Sequence, residues 1–191
     1  MSIPKNVLSA KLIPVLALLT LAIPAAFCQL NSNTTSVALK ATLGESLAVA
    51  ATPSSVAIPL VAGGTATGSS PVAITTTWVL SASRTAVTLV GYFASAAVAL
   101  TDGATTPDNI PSSEVLGQVT TGTPTAFTAF TQTAPLGAAG AGLILFSQAL
   151  SGINRTANRT DNLNLEINLA AQPQLPAGTY TGTLNLQAQA L

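Results

Sequence analysis

A chain of 191 residues, 48% of them apolar, has the material for one sandwich-sized domain and its core. Charged residues make up only 6% of it, against roughly 25% in an ordinary soluble domain, and the formal net charge is zero. With no basic patch to neutralise phosphates, nucleic-acid binding is excluded, and with no His the commonest general base, metal ligand and pH switch are all missing.

The first 28 residues have the layout of an export signal. Lys5 and Lys11 give a positive start, Leu12 to Ile23 an apolar run, Pro24 a break, and Ala26-Phe27-Cys28 small residues where signal peptidase reads. Cleavage is expected before Gln29. The apolar run falls short of the ~20 residues that span a bilayer, so the membrane is involved in export alone. The alternative is a lipid anchor on Cys28, the only cysteine. Cleavage before Gln29 leaves no thiol, hence no disulfide, and four basic residues (Lys40, Arg84, Arg155, Arg159) against six acidic ones. Residues 29–191 then form a single domain.

Period-two alternation runs through that domain. Ser36 to Leu43 places Val37, Leu39, Ala41 and Leu43 on one side. It reads either as the first strand or as an extension that pairs with a neighbouring subunit. Glu45–Ala51 is a second short strand. Val56–Val61 contains Pro59, which cannot donate to a ladder, so an edge strand or a bulge is expected. Val72–Ser81 and Thr85–Ser95 flank the turn Ser81-Ala82-Ser83-Arg84, and the pair reads as a central hairpin. Ala96–Leu100 is short, and Thr101–Ser112 is a loop. Glu114–Thr120 and Thr125–Gln132 form a hairpin around Thr121-Gly122-Thr123-Pro124. After the Gly/Ala-rich loop Ala134–Gly142 come Leu143–Leu150, a polar Ser151–Asn158, and Arg159–Ala170 with Leu163, Leu165, Ile167 and Leu169 inward. The last strand, Thr179 to Ala190, follows the turn Pro176-Ala177-Gly178. Its apolar side carries Tyr180, Gly182, Leu184, Leu186, Ala188 and Ala190. About ten strands with short turns and no helical period indicate an all-β antiparallel sandwich. Trp78, Tyr92, Tyr180, Leu184 and Leu186 are its expected core anchors.

Chemistry is sparse. Glu45, Asp102, Asp108, Glu114, Asp161 and Glu166 are the only carboxylates. A two-carboxylate hydrolase is the last-ranked reading. Asp102, Asp108 and Asn109 supply oxygens, but their spacing matches no calcium loop and suits plain turn chemistry better. Asn33-Thr34-Thr35, Asn154-Arg155-Thr156 and Asn158-Arg159-Thr160 fit the glycosylation pattern, which a Thr/Asn-rich chain produces by chance. NRTANRT reads as an exposed loop whose arginines pair with Asp161 or Glu166. Gly137–Gly142 has no Lys-Ser/Thr after it and is no phosphate loop. No catalytic, cofactor or metal residues are assigned, and no cofactor is expected.

The ending PAGTYTGTLNLQAQAL, with Pro176, Ala177, Gly178, Thr179 and Tyr180 at its turn, resembles the spore coat protein U family. So do the signal-like start, the alternating N-terminal segment and the Trp-bearing strand. That family includes secreted subunits of archaic chaperone–usher pili. The resemblance implies an immunoglobulin-like sandwich lacking one strand, completed in trans by a neighbour's Val37, Leu39, Ala41 and Leu43. Family members often carry a disulfide, which this chain lacks once Cys28 is removed. The expected function is a secreted or cell-surface structural subunit that associates with itself or with related surface subunits. The alternative is a monomeric adhesin or glycan-binding module.

Overall fold

A computed structural model describes residues 32–140 and 142–191. The export signal, its cleavage site and Cys28 lie outside the described residues. The chain divides after Ala41 into two units, and the sandwich belongs to the second, Thr42–Leu191.

Eleven strands account for the sandwich among the described residues: β1 Ser46–Thr52, β2 Thr65–Thr67, β3 Val72–Val79, β4 Ala86–Tyr92, β5 Leu100–Thr101, β6 Asn109–Ile110, β7 Val115–Val119, β8 Thr128–Ala129, β9 Leu143–Ala149, β10 Thr156–Asn168 and β11 Asn185–Ala190. One sheet runs β1-β3-β10-β7-β8, with β2 also on β10. The other runs β11-β4-β9, and β5 pairs with β6 apart from both. Every pairing is antiparallel.

The sheets face each other because each contributes one apolar face. Ile74, Trp78, Val119, Leu163 and Ile167 from the first meet Val87, Leu89 and Leu145 from the second. Each large side chain fully buried here stabilises the fold by about 1.5–3 kcal/mol relative to exposure. Phe130 is fully buried and meets Phe93 edge-on, with ring centroids 5.6 Å apart. Gly117 leaves room for it, since a Cβ there would come within 2.7 Å of the Phe130 ring.

The structure corrects several expectations. Ser36–Leu43 forms no strand, and the first strand is β1. The segments Val72–Ser81 and Thr85–Ser95 form strands but no hairpin, because β3 and β4 belong to different sheets. Alternation divides a strand into two faces; it does not say which sheet the strand joins. The turn between them crosses from sheet to sheet, and Arg155 fixes it by donating to the carbonyls of Ser81 (2.5 Å) and Arg84 (2.9 Å). Arg155 therefore serves backbone oxygens and not a carboxylate. Val56–Val61 joins no sheet, where Pro59 removes a donor. The short strand expected over Ala96–Leu100 is displaced to Leu100–Thr101.

Two further segments depart from expectation. The second half of NRTANRT is strand, not loop: β10 starts at Thr156. The final strand is regular only from Asn185; before it, Thr181 alone bridges to Thr101. Trp78 is a core residue at 2% exposure. Tyr180, Leu184 and Leu186 are half-buried against the core. Tyr92 does not join the core cluster. Adjacent strand residues point to opposite faces, and Phe93 takes the inward place.

Candidate functional site

β1 and β11 are the outermost strands of opposite sheets, and their Cα atoms come within 8 Å along one side of the sandwich. They are not paired with each other. The backbone of each therefore has one free edge, and the ladder fixes which residues own it. Leu191 and Ala86 exchange both hydrogen bonds, at 2.9 and 3.3 Å. Antiparallel bonding alternates, so Gln189, Gln187 and Asn185 also face β4. Leu186, Ala188 and Ala190 turn their N–H and C=O groups outward. On the other sheet Leu80 donates to Arg155. By the same alternation Trp78, Thr76 and Ile74 serve β10, and Leu47, Val49 and Ala51 own the free edge of β1.

The residues with free backbone groups are those whose side chains point inward. Leu47, Val49, Ala51, Leu184, Leu186, Ala188 and Ala190 all pack on the core, yet each is only half-buried. The cleft between the two strands widens toward the C-terminal end of β1. A hollow of about 410 Å³ opens there, lined by Ala51, Val56, Leu165, Ile167, Gly182 and Leu184 among others. A second hollow, about 560 Å³, adjoins it between Val56–Leu60 and Leu175–Tyr180. Tyr180 lines both, and its hydroxyl donates to the Pro176 carbonyl at 2.9 Å. Burial, then the negative charges of Asp108 and Asp102, push this phenol above its ordinary range.

The opposite end is closed. Glu45, just before β1, accepts from Arg84 through Nε (3.3 Å) and Nη2 (3.0 Å) and from the Ser81 N–H (2.7 Å). Arg84 Nη1 reaches the Ala190 carbonyl at 3.4 Å. Arg84 first, then the Ser81 N–H, hold the Glu45 carboxyl down at about 2. The closure thus ties the start of β1 to the end of β11.

Other sequence candidates resolve into structural roles. Asp102 Oδ1 accepts from the backbone of Ala104 and Asp108, both at 3.1 Å, as a turn residue does. Among the described residues no group of His, Cys, Asp and Glu is placed to hold a metal ion. Asn154 is engaged at both ends of its amide, by Ser151 N–H and by the Ala149 carbonyl. Asn158 sits within β10, exposed, opposite Thr77. The Trp78 indole donates to the Asn154 carbonyl at 2.8 Å and offers no exposed ring for a sugar to stack on.

Val37, Leu39, Ala41 and Leu43 are all exposed and not drawn into a strand. Leu184 and Leu186 apart, the walls of the cleft are not marked by the alternation of any single strand. One signal for them exists: Val56, Ile58 and Leu60 alternate like a strand, yet Pro59 bars them from a ladder. Glu45 and Arg84 stand 39 residues apart, and nothing local marks them as partners. No family model, curated protein or solved structure matches this chain.

Proposed function

We propose that this chain is a non-enzymatic structural subunit, exported to the cell surface, that assembles by accepting a strand from a second copy on the free edge of β11, entering where the cleft beside β1 widens. One observation carries the reading. Leu47, Val49 and Ala51 on one strand, and Leu186 and Ala188 on the other, combine half-buried apolar side chains with backbone groups that no neighbouring strand pairs. A strand laid there gains main-chain hydrogen bonds from the edge and buries alternate side chains. An unprotected edge of this kind also promotes association unless it is covered.

The donor is Ser36–Leu43 of the second copy. Its Val37, Leu39, Ala41 and Leu43 recur at the period of two that the cleft requires, and all are exposed. The resemblance of the PAGTYTGTLNLQAQAL ending to pilus-type subunits supports the same reading. The low charge of the chain suits a surface built for association.

The test is the oligomeric state of Gln29–Leu191, followed by light scattering and negative-stain microscopy, with and without residues 29–43. Multimers that disappear on deletion of residues 29–43, leaving monomers that each bind one added Ser36–Leu43 peptide, are the expected result. Identical assembly of both proteins removes strand addition as the mechanism.

A further inference from the structure

The alternation of the donor leaves one question open, namely its register. Sliding a strand by one residue turns every inward side chain outward and is strongly opposed. Sliding it by two keeps the apolar face inward and is opposed only by differences in side-chain size. Val37, Leu39, Ala41 and Leu43 are all aliphatic, so apolar patterning alone separates such registers poorly. The cleft must supply a further constraint if subunits join in one way.

The closed end of the cleft contains one. The free edge of β11 offers the backbone groups of Leu186, Ala188 and Ala190. The last acceptor of this row, the Ala190 carbonyl, is already taken by Arg84 Nη1. Arg84 is not free to swing aside, because Glu45 grips its guanidinium at Nε and Nη2. Glu45 is held in turn by the Ser81 N–H. The pair also stands where the starts of β1 and β4 and the end of β11 meet. A strand entering from the wide end, past Thr181–Leu184, advances along the edge until it meets a charged group at Ala190.

We propose that Arg84, set by Glu45, is the end-stop that fixes the register of the strand received from a second copy of this chain. The inference rests on the strand-addition reading above and names the residues that give it specificity. The added strand then bonds with β11 through Leu186 and Ala188 and stops short of Ala190. Length agrees with this assignment. The eight residues Ser36–Leu43 span about 26 Å when extended, enough to run from the wide end to Ala188. Arg84 acts as a positioning residue, so its removal changes where the donor sits before it changes whether the donor binds.

Cross-linking reads the register directly. The Gln29–Leu191 chain lacks cysteine, so an acceptor carrying Ala188→Cys is mixed with four donors, each carrying one of Val37→Cys, Leu39→Cys, Ala41→Cys or Leu43→Cys. In the parental acceptor one donor position is expected to cross-link about tenfold more than the others, the discrimination a charged hydrogen-bonding group provides. With Arg84→Ala in the acceptor, the position two residues away should rise to a comparable yield. Glu45→Gln keeps the acceptor for Ser81 but loosens Arg84, and should give the same shift in part. It also serves as the second variant if Arg84→Ala does not fold. An unchanged single register in the variants that fold overturns the end-stop while leaving strand addition intact. Failure of all four donors to cross-link the parental acceptor overturns strand addition, and the end-stop with it.

Discussion

Asp161 is 1% exposed and faces inward from β10, opposite Ile74. Its charge is matched by Arg159 two residues along the same face, with Nε at 2.6 Å from Oδ2 and Nη2 at 2.9 Å from Oδ1. Thr121 donates to Oδ1 at 2.8 Å, and the Phe146 ring lies 4.9 Å from the guanidinium carbon. Arg159 also donates to the Thr121 carbonyl, so the pair pins the β7–β8 turn to β10. Arg159→Leu leaves a buried carboxylate without its cation and should cost about 3–5 kcal/mol in urea unfolding. Replacing both residues with Leu should cost clearly less; equal losses would mean the pair acts by packing alone. The second ion pair behaves differently because it is more exposed. The Glu45 carboxyl is held at about 2 when folded, below its unfolded value, so its stabilisation is present above the unfolded range near 4.5. It fades as pH falls through that range and is gone below about 2. Glu45→Gln should therefore narrow the gap between unfolding midpoints at pH 6 and pH 2.5. A gap of the same size would show that this carboxyl does not carry the acid sensitivity.

Elements of this fold are joined at a few tight crossings, and Gly182 stands at one of them. A Cβ at Gly182 would overlap the Ala99 carbonyl oxygen, where Thr101 and Thr181 exchange hydrogen bonds at 2.9 and 2.8 Å. The obstacle is backbone and cannot rotate away. Gly182→Ala should destabilise by about 1–3 kcal/mol and loosen the wide end of the cleft. The control is Gly152→Ala, where nothing lies within 4 Å and the midpoint should hardly move. Gly182 also shows how far sequence pattern reaches. It fits the alternation of a long last strand, but the ladder is regular only from Asn185, because Gly182 is used for a close crossing. Strand positions were legible wherever apolar residues repeat at period two, as in Leu163, Leu165 and Ile167 of β10. The alternation continues to Arg159 and Asp161, which is why those charged residues also point inward. Partnership was not legible, since β3 and β4 are adjacent in sequence and in opposite sheets. For the same reason the cleft was invisible: it is made by β1 and β11, the two ends of the domain, with Val56 and Ile58 lining its wide end from a segment that joins no sheet.

At the scale of the whole molecule, the low charge sets what forces are available for assembly. Six acidic and six basic residues are spread over 191 positions, and two of the basic ones fall in the expected export signal. Apart from Tyr180 and Gly182 the cleft walls named above are aliphatic, and the free groups at its edge are backbone amides and carbonyls. Strand addition into such a cleft draws on hydrogen bonds and apolar burial, neither of which weakens when simple salt screens charge. Assembly of Gln29–Leu191 should therefore change by less than about twofold between roughly 0.05 and 0.5 M NaCl, although the Debye length shrinks from more than 10 Å to a few ångströms over that range. Sulfate at equal ionic strength should increase assembly, because its exclusion from the surface strengthens apolar burial. Light scattering across the two salt series distinguishes the cases. A steep loss of multimers with NaCl would locate the driving force in charge pairs such as Lys40 with a carboxylate of the neighbour. The cleft between β1 and β11 would then not be what holds the subunits together.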